Sequence, residues 1–239
     1  TLLIRGSGKY PTADERFKHE IASASIFDSL REKDSVALDR ILSEKVRCVT
    51  GEITEDNFGL APSAWDELSQ QVDMIINSAA SVNFREPLDQ ALSINTLSLF
   101  NLINFSETAG NIPLVHVSTC YVNGYNEGQM GEGIVGPTGK SIKQHSDGYY
   151  DVESLIPEFQ KAIEQTKKAN KDKTKLAEEL TELGASTANL YGWNDVYTFT
   201  KWMAEQVLLH RFKGKTLTIL RPSIIESTYL DPVGGWIEG

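Results

Sequence analysis

The sequence predicts an α/β fold in which a parallel sheet carries helices on both faces, a Rossmann-like doubly wound arrangement. Short apolar runs suited to buried strands alternate along the chain with segments whose apolar residues recur at helical spacing. This alternation is typical of a parallel sheet covered on both sides. The 239 residues, of which 40% are hydrophobic, are enough for one large core.

The predicted elements follow one another in regular order. A Thr-x-x-Glu capping box at Thr12 opens the first helix, and the other boundaries follow from apolar spacing and turn residues. Strands are predicted at residues 1–4, 46–50, 72–77, 114–118 and Leu217–Leu220. Helices are predicted at residues 12 to about 30, 35–42, a short segment from Ser63, 88–108 and 192–212.

One segment breaks this alternation. Residues 125–191 are first rich in glycine and then charged, with narrow apolar stripes that predict helix. Two interpretations stay open for this insertion: a helical hairpin over the mouth of a site, or a partly mobile surface excursion.

Composition excludes several classes of function. A formal net charge of −10 argues against a nucleic-acid surface. Cys48 and Cys120 lie in apolar, strand-like runs, which predicts reduced thiols in a cytoplasmic protein. The sequence shows no apolar run of the roughly 18–20 residues that span a bilayer, no signal peptide and no metal-ligand spacing.

Tyr197 and Lys201 form the most informative pair. They are four residues apart on the predicted helix 192–212 and therefore share one helix face. A cation beside a phenol favours phenolate, so Lys201 is expected to lower the pKa of Tyr197 toward the range of a general acid. On spacing alone, a core tyrosine and a solvated lysine remain the favoured interpretation.

Polar and small residues follow the predicted strands, where doubly wound sheets bind ligands. They are Arg5, Asn77-Ser-Ala-Ala80, Ser118-Thr119-Cys120 and Arg221-Pro222-Ser223. A guanidinium after the first strand can pair with a ribose 2′-phosphate, the group that separates NADP from NAD. Together these motifs predict a dinucleotide site at the carboxyl edge of the sheet.

In this order, the motifs resemble those of the extended short-chain dehydrogenase/reductases. Within that superfamily the chain is similar to the fatty acyl-CoA reductases, also called male-sterility-type proteins. The specific matches span nearly the whole chain outside the insertion 125–191. They are Leu2-Leu-Ile-Arg-Gly6, Gly51-Glu-Ile-Thr-Glu55, Ala80-Ser-Val-Asn-Phe84, Tyr197-Thr-Phe-Thr-Lys201 and Pro232-Val-Gly-Gly-Trp-Ile237.

The resemblance implies a role for each matching residue. Tyr197 would be the general acid, Lys201 would tune it and hold the nicotinamide ribose, and Thr119 would donate a hydrogen bond to the substrate carbonyl. The remaining implied residues bind the cofactor: Arg5 selects NADPH, Glu52 and Ile53 line the adenine pocket, Ala79 and Ala80 face the cofactor, and Pro222 and Ser223 meet the carboxamide. Related sequences usually have Asp at the position of Glu52.

One part of the family pattern is absent. The superfamily begins with a strand, a Gly-x-x-Gly-x-x-Gly turn and a helix that holds the pyrophosphate. Gly6-Ser-Gly-Lys9 lacks the upstream glycine and the hydroxyl residue of a phosphate loop. We therefore expect residues 1–239 to be an NADP-binding domain without its first β-α unit, with residues 222–239 starting the substrate-binding region.

Three further residues have less support. Strand alternation predicts that Cys120 points away from Thr119, which argues against a nucleophilic thiol. His116 is interpreted as a satisfied strand histidine, and Asn95 as a support for the site or a structural residue.

The resemblance implies NADPH-dependent reduction of a long-chain fatty acyl-CoA to aldehyde, alcohol or both. The protein is expected in the cytoplasm, and peripheral association with a membrane is compatible with that location. The alternatives are another extended reductase, epimerase or dehydratase acting on a sugar or sterol, a carrier-protein thioester reductase, and a non-catalytic nucleotide-sensing or scaffold protein.

Overall fold

Parallel strands form two groups in the computed structural model, which describes residues 1–237. β1 (Leu2–Ile4) pairs in parallel with β2 (Cys48–Thr50). β3 (Ile75–Asn77) pairs in parallel with β4 (Leu114–Val117), which pairs in parallel with β5 (Leu217–Leu220). The predicted α/β class with a parallel arrangement is confirmed, although the strands divide into a two-stranded and a three-stranded group.

The pairing pattern corresponds to two parts of a doubly wound order. In the order 3-2-1-4-5-6, strand 3 pairs with strand 2, and strands 4, 5 and 6 pair in succession. The pairs β2-β1 and β3-β4-β5 match these two series. The expectation of an NADP-binding domain without its first β-α unit stays a prediction.

Helices separate the strands, as predicted. The described α-helices are α1 (Ala13–Arg16), α2 (Asp28–Lys45), α3 (Pro62–Ser69), α4 (Leu88–Leu92), α5 (Ser98–Thr108), α6 (Ile156–Ala169), α7 (Lys173–Tyr191) and α8 (Val196–Arg211). A π-turn, Ser93–Leu97, joins α4 to α5, so the predicted helix 88–108 is continuous. Across residues 1–237, no helix is both long and apolar enough to cross a bilayer.

Several predicted boundaries were wrong. The helix from Thr12 ends with the π-turn Phe17–Ile21, and α2 begins at Asp28 with a break in helical geometry at Asp34. The predicted helix 192–212 begins later, because Gly192 ends α7 with a φ of 105° and the Asp195 side chain caps α8. Glycine pays no steric cost for that φ, and the carboxylate accepts a hydrogen bond from an orphan amide.

The chain divides into two compact units. The first consists of Thr1–Pro62 and the segment from Ile224 onward, and contains β1 and β2. The second, Ser63–Ser223, contains β3 to β5 and α4 to α8. The capping box at Thr12 is present in the first unit, where the Ala13 amide also donates to Thr50 Oγ1 at 2.8 Å and so fixes α1 on β2.

The insertion forms a helical hairpin that packs on other helices. α6 and α7 contact each other and both contact α4, while α7 also contacts α8. Gly184 of α7 makes this approach close, because a Cβ there would lie 3.0 Å from Val196 Cγ2. Of the two open interpretations, the hairpin is supported; a position over the mouth of a site stays a prediction.

α8 is the centre of the second unit. Every residue from Thr198 to Leu208 is buried, which is typical of a helix covered on all sides. Trp202, Phe199, Trp193 and Tyr191 stack around it, with the two tryptophan ring centroids 4.3 Å apart. Lys201, Glu205 and Gln206 are buried on this helix too, so its polar groups need partners inside the protein.

A tight backbone crossing fixes the start of the insertion. Gly124 has a φ of 54°, and a Cβ at this position would lie 2.3 Å from the carbonyl oxygen of Gly192. Beside it, Trp193 Nε1 donates to Val122 O at 2.8 Å. Only glycine combines this φ with this approach.

We expect Gly124→Ala to lower the free energy of unfolding by about 2–4 kcal/mol, since the methyl group would collide with backbone at a strained φ. The matched control is Gly128→Ala, where φ is also positive but no atom lies within 4 Å. That change should cost about 1 kcal/mol from the backbone conformation alone. Urea unfolding followed by tryptophan fluorescence measures both, and equal losses would contradict the predicted collision.

Candidate active site

The ends of β4 and β5 lie side by side. The Ser118 amide donates to Leu220 O at 2.7 Å, and the Cys120 amide donates to Pro222 O at 2.9 Å. The predicted neighbourhood of Thr119 and Pro222 at one sheet edge is therefore present in the structure.

Thr119 begins a tight turn after β4. Its Oγ1 accepts a hydrogen bond from the Tyr121 amide at 3.2 Å and caps the 3-10 turn Cys120–Asn123. Cys120 thus lies in a turn and not on a strand, so the alternation argument for its direction was wrong. Its thiol is partly exposed and close enough to Tyr197 to affect the phenol.

Tyr197 lies in the first turn of α8 and is half-buried. The Phe84 ring meets it edge to face, with centroids 5.5 Å apart. Burial raises the pKa of Tyr197 above its usual range, a hydrogen bond with Thr119 opposes this, and Asp195 and Cys120 raise it further. The phenol therefore keeps its proton at neutral pH, as a proton donor must.

Lys201 is almost completely buried, with 2% of its surface exposed. Its Nζ donates to the carbonyl oxygen of Val117 at 2.6 Å and lies 3.2 Å from His116 Nε2. Burial lowers the pKa of Lys201 to about 8, while the negative charge of Glu205 acts in the opposite direction. The interpretation of Lys201 as a solvated lysine is excluded.

The expected lowering of the Tyr197 pKa is not found. The groups that change the pKa of Tyr197 are Thr119, Asp195 and Cys120, in addition to burial, and the net direction is upward. The reason is geometric: Lys201 extends toward the last carbonyl of β4, where Val117 holds its Nζ.

Two polar residues lie behind Lys201: Asn77, which belongs to the predicted motif after β3, and His116, which was interpreted as a satisfied strand histidine. His116 and Asn77 are opposite each other in the β3-β4 register, and Asn77 Nδ2 lies 3.1 Å from His116 Nδ1. Asn77 Oδ1 accepts from the Ala79 amide at 3.2 Å, which fixes the turn before Ala80. The signal available in the sequence was the presence of polar residues inside two buried apolar runs.

Asn95 supports the same turn. Its Oδ1 accepts from the Ser81 amide at 2.9 Å, and its Nδ2 donates to Thr200 Oγ1 at 3.0 Å. Asn95 lies in the π-turn between α4 and α5, a distortion often found at functional sites. It therefore ties the segment after β3 to α8, in keeping with the supporting role considered for it.

Arg221 is bound to α8 by a buried ion pair. Its Nε and Nη2 donate to the two carboxylate oxygens of Glu205 at 2.9 and 2.6 Å, and Nη1 donates to Gly133 O. Glu205 is completely buried, so this two-pronged pairing provides the partner that a buried carboxylate requires. It also fixes the end of β5, where Pro222 and the exposed Ser223 follow.

The first unit carries a separate cleft of about 650 Å³. Its lining includes Arg5, Glu52 and a second guanidinium that sequence reasoning missed, Arg16. Arg16 Nη1 donates to the carbonyl oxygen of Arg5 at 3.0 Å, while Arg5 Nη1 lies 3.9 Å from Glu52 Oε2. Ile53 follows Glu52 in the same loop but is not among the residues that line the cleft.

Comparisons with known proteins agree with these motifs. A family model described as male sterility protein matches residues 1–239. The chain is 36% identical to "Fatty acyl-CoA reductase 2, chloroplastic" of Arabidopsis thaliana, covering 100% of this chain and 39% of the relative. It is 34% identical to "Alcohol-forming fatty acyl-CoA reductase" of Simmondsia chinensis, covering 100% of this chain and 48% of the relative. The chain thus spans less than half the length of these relatives.

Solved structures agree on the fold. A thiolation-reductase di-domain from an archaeal non-ribosomal peptide synthetase matches with a TM-score of 0.52 and 20% identity, over 97% of this chain and 46% of that one. A reductase domain of a non-ribosomal peptide synthetase from Mycobacterium tuberculosis matches with a TM-score of 0.52 and 16% identity, over 95% and 41%.

We expect Lys201→Met to stabilise the protein at pH 7. The difference between a pKa of about 8 and the ordinary 10.5 corresponds to about 3 kcal/mol of desolvation cost. Loss of the hydrogen bond to Val117 O offsets part of this, which leaves a gain of about 1–2 kcal/mol in the free energy of unfolding.

The pH dependence provides the sharper test. Because Lys201 binds its proton less tightly when folded, the cost is fully present below pH 8 and is relieved as the pH rises from 8 to 10.5. The advantage of Lys201→Met should shrink over that window, as urea unfolding at several pH values would show. Lys168→Met, at an exposed lysine of α6, is the control. A constant difference between Lys201→Met and the unaltered protein would contradict the lowered pKa.

Proposed function

The chain belongs to the male sterility protein family, whose model matches residues 1–239, and from that premise we propose that it reduces long-chain fatty acyl-CoA with a nicotinamide cofactor. The observation that carries the proposal is the meeting of Thr119, a protonated Tyr197 and a buried Lys201 at one sheet edge. The relatives of similar sequence are named fatty acyl-CoA reductases.

The residues present fit a nicotinamide cofactor. Ser118 Oγ is buried at the end of β4 with no hydrogen-bond partner among the described residues, so a polar group at this edge would satisfy it. Lys201, Ala79, Ala80 and Ser223 belong to the residues proposed to hold the nicotinamide half. When bound, a reduced nicotinamide supplies the hydride that the substrate carbon accepts.

The proposed roles of the protein side chains follow from their environments. Tyr197, whose raised pKa keeps it protonated, donates its proton to the substrate oxygen as negative charge develops there. Thr119, which lies close enough to Tyr197 to lower its pKa, donates a hydrogen bond to that oxygen and stabilises the same charge. Lys201 contributes a cation that is poised to titrate near pH 8.

A thioester substrate fits this set of groups. Hydride at the carbonyl carbon and the Tyr197 proton at the oxygen give a hemithioacetal, which collapses to an aldehyde and a free thiol. A second hydride and proton give the alcohol. Val82 and Phe84, on the loop that brings Phe84 against Tyr197, are 71% and 55% exposed and offer apolar surface beside the phenol.

We propose NADPH rather than NADH as the cofactor, and the lining of the cleft in the first unit supports this choice. Arg5 and Arg16 both line this cleft, and guanidinium groups are suited to a 2′-phosphate because they donate several hydrogen bonds in a plane. Glu52 and Ile53, which follow β2, are proposed to lie beside the adenine. Glu52 lies 3.9 Å from Arg5 and would leave it when phosphate binds.

The other interpretations have less support. A sugar or sterol enzyme would share Tyr197 and Lys201, but the relatives that match the whole chain are named for fatty acyl-CoA. A non-catalytic sensor would be expected to have lost Thr119, Tyr197 or Lys201, and all three are present. Cytoplasmic location and peripheral membrane association stay predictions, and one relative carries the word chloroplastic in its name.

We expect Tyr197→Phe to lower kcat for acyl-CoA reduction by about 10²–10⁴-fold, since the proton donor is lost while the ring remains. Oxidation of NADPH that depends on added acyl-CoA, together with detection of aldehyde and alcohol, measures this. Tyr125→Phe, which removes an exposed hydroxyl bound to Asn189, is the matched control and should change little. The acid role is wrong if Tyr197→Phe retains activity within a few-fold of the unaltered protein.

We expect Arg16→Ala to raise the KM for NADPH by about tenfold or more and to leave the KM for NADH nearly unchanged. A charge-assisted hydrogen bond contributes about 1.5–3 kcal/mol, and only NADPH carries the phosphate that Arg16 would bind. Arg31→Ala is the control, because Arg31 pairs with Asp28 and Ala22 O and does not line the cleft. Equal effects on both cofactors would exclude a 2′-phosphate role.

A further inference from the structure

The orientation of the Asn77 amide is fixed by a backbone group. The Ala79 N–H can only donate, so the side-chain atom that faces it at 3.2 Å must be the oxygen of Asn77. The other end of the amide, the NH₂ group, then faces His116 Nδ1 at 3.1 Å. An NH₂ group can only donate, which assigns the acceptor role to Nδ1.

This assignment determines the tautomer of His116. Burial, and then the charge of Lys201, lower the pKa of His116 well below its usual range, so the ring is neutral. A neutral imidazole has one N–H, and because Nδ1 accepts, the proton lies on Nε2. His116 is 1% exposed, so the ring is shielded from bulk solvent.

The Nε2–H group points at Lys201. Nε2 and Nζ are 3.2 Å apart, and Nζ also donates to Val117 O at 2.6 Å. An ammonium has three donors and no acceptor, so it forms no hydrogen bond with Nε2–H. A neutral amine has a lone pair and can accept one.

We propose that His116 is a positioning residue for Lys201, and that its Nε2–H forms a hydrogen bond with Nζ only when Lys201 is a neutral amine. The direction of donation runs from the Ala79 amide through Asn77 and His116 to Lys201. The network thereby favours release of the lysine proton, in the same direction as burial. The inference rests on the proposed function only for its kinetic consequence.

Other charges around Lys201 act against this effect. Glu205, one turn later on α8, raises the pKa of Lys201. Arg221 reaches Glu205 from the end of β5 and neutralises much of its charge. Asp195, at the start of α8, acts on Tyr197. His116, from β4, is therefore the group in direct contact that disfavours the ammonium.

The kinetic consequence is an upper pH limit. If the ammonium of Lys201 is the form that holds the cofactor, activity should fall as the pH rises through about 8. A network that donates to the amine lowers that limit, and a network that accepts from the ammonium would raise it.

Asn77→Asp should reverse the direction of these hydrogen bonds, because it replaces the donor NH₂ group of Asn77 with an acceptor oxygen. A carboxylate can accept both from the Ala79 amide and from His116 Nδ1–H, so the imidazole proton should move from Nε2 to Nδ1. Nε2 would then accept from the Lys201 ammonium. We expect the pKa of Lys201 to rise by about one pH unit or more, a tenfold change in proton affinity.

The tautomer is read directly by long-range ¹H–¹⁵N NMR of the protein labelled at histidine, with His116→Phe used for assignment. The expected result is a protonated Nε2 in the unaltered protein and a protonated Nδ1 in Asn77→Asp. A protonated Nδ1 in the unaltered protein would overturn the proposal, and this measurement decides even if Asn77→Asp does not fold.

A double-mutant cycle separates two effects of Asn77→Asp on the Lys201 pKa: the charge of the new carboxylate and the change of the His116 tautomer. The effect of Asn77→Asp on the Lys201 pKa, followed by NMR of labelled lysine, is compared with and without His116→Phe. A larger effect with the imidazole present supports the proposal, and an equal effect overturns it. Because neither readout needs turnover, absence of acyl-CoA reduction would refute the proposed function and leave this inference standing.

Discussion

The hydrogen bond from Lys201 Nζ to the carbonyl oxygen of Val117 is the contact on which the candidate site depends. It joins α8, buried on every side from Thr198 to Leu208, to the end of β4, where Thr119 follows two residues later. A buried ammonium without an acceptor would be too costly to keep, so this bond sets the position of the helix relative to the sheet. Tyr197, one turn earlier on the rigid helix, is thereby placed beside Thr119.

Around this contact, several buried polar groups of the second unit form directed pairs. Asn77 and His116 connect β3 to Lys201, while Asn95 connects the turn after β3 to Thr200. Such networks give a single arrangement only when each donor meets an acceptor.

The two units carry different groups of candidate site residues. The second holds the residues proposed for proton donation, and the first holds the paired guanidinium groups Arg5 and Arg16 in a cleft of its own. Both belong to one family match over residues 1–239.

By itself, the sequence determined the α/β class and the order of the elements, and it singled out Thr119, Tyr197 and Lys201 as candidate site residues, because alternation and motifs are local properties of the chain. It also located the helical insertion before α8. The tertiary structure alone decided that Lys201 extends to Val117 and leaves the pKa of Tyr197 to burial and Thr119. It alone showed His116 as a partner of Lys201 and Arg16 beside Arg5, since these neighbours are separated by 85 and 11 residues and no spacing rule relates them. Direction and burial of a side chain depend on what packs against it, and that is set only when the whole unit has folded.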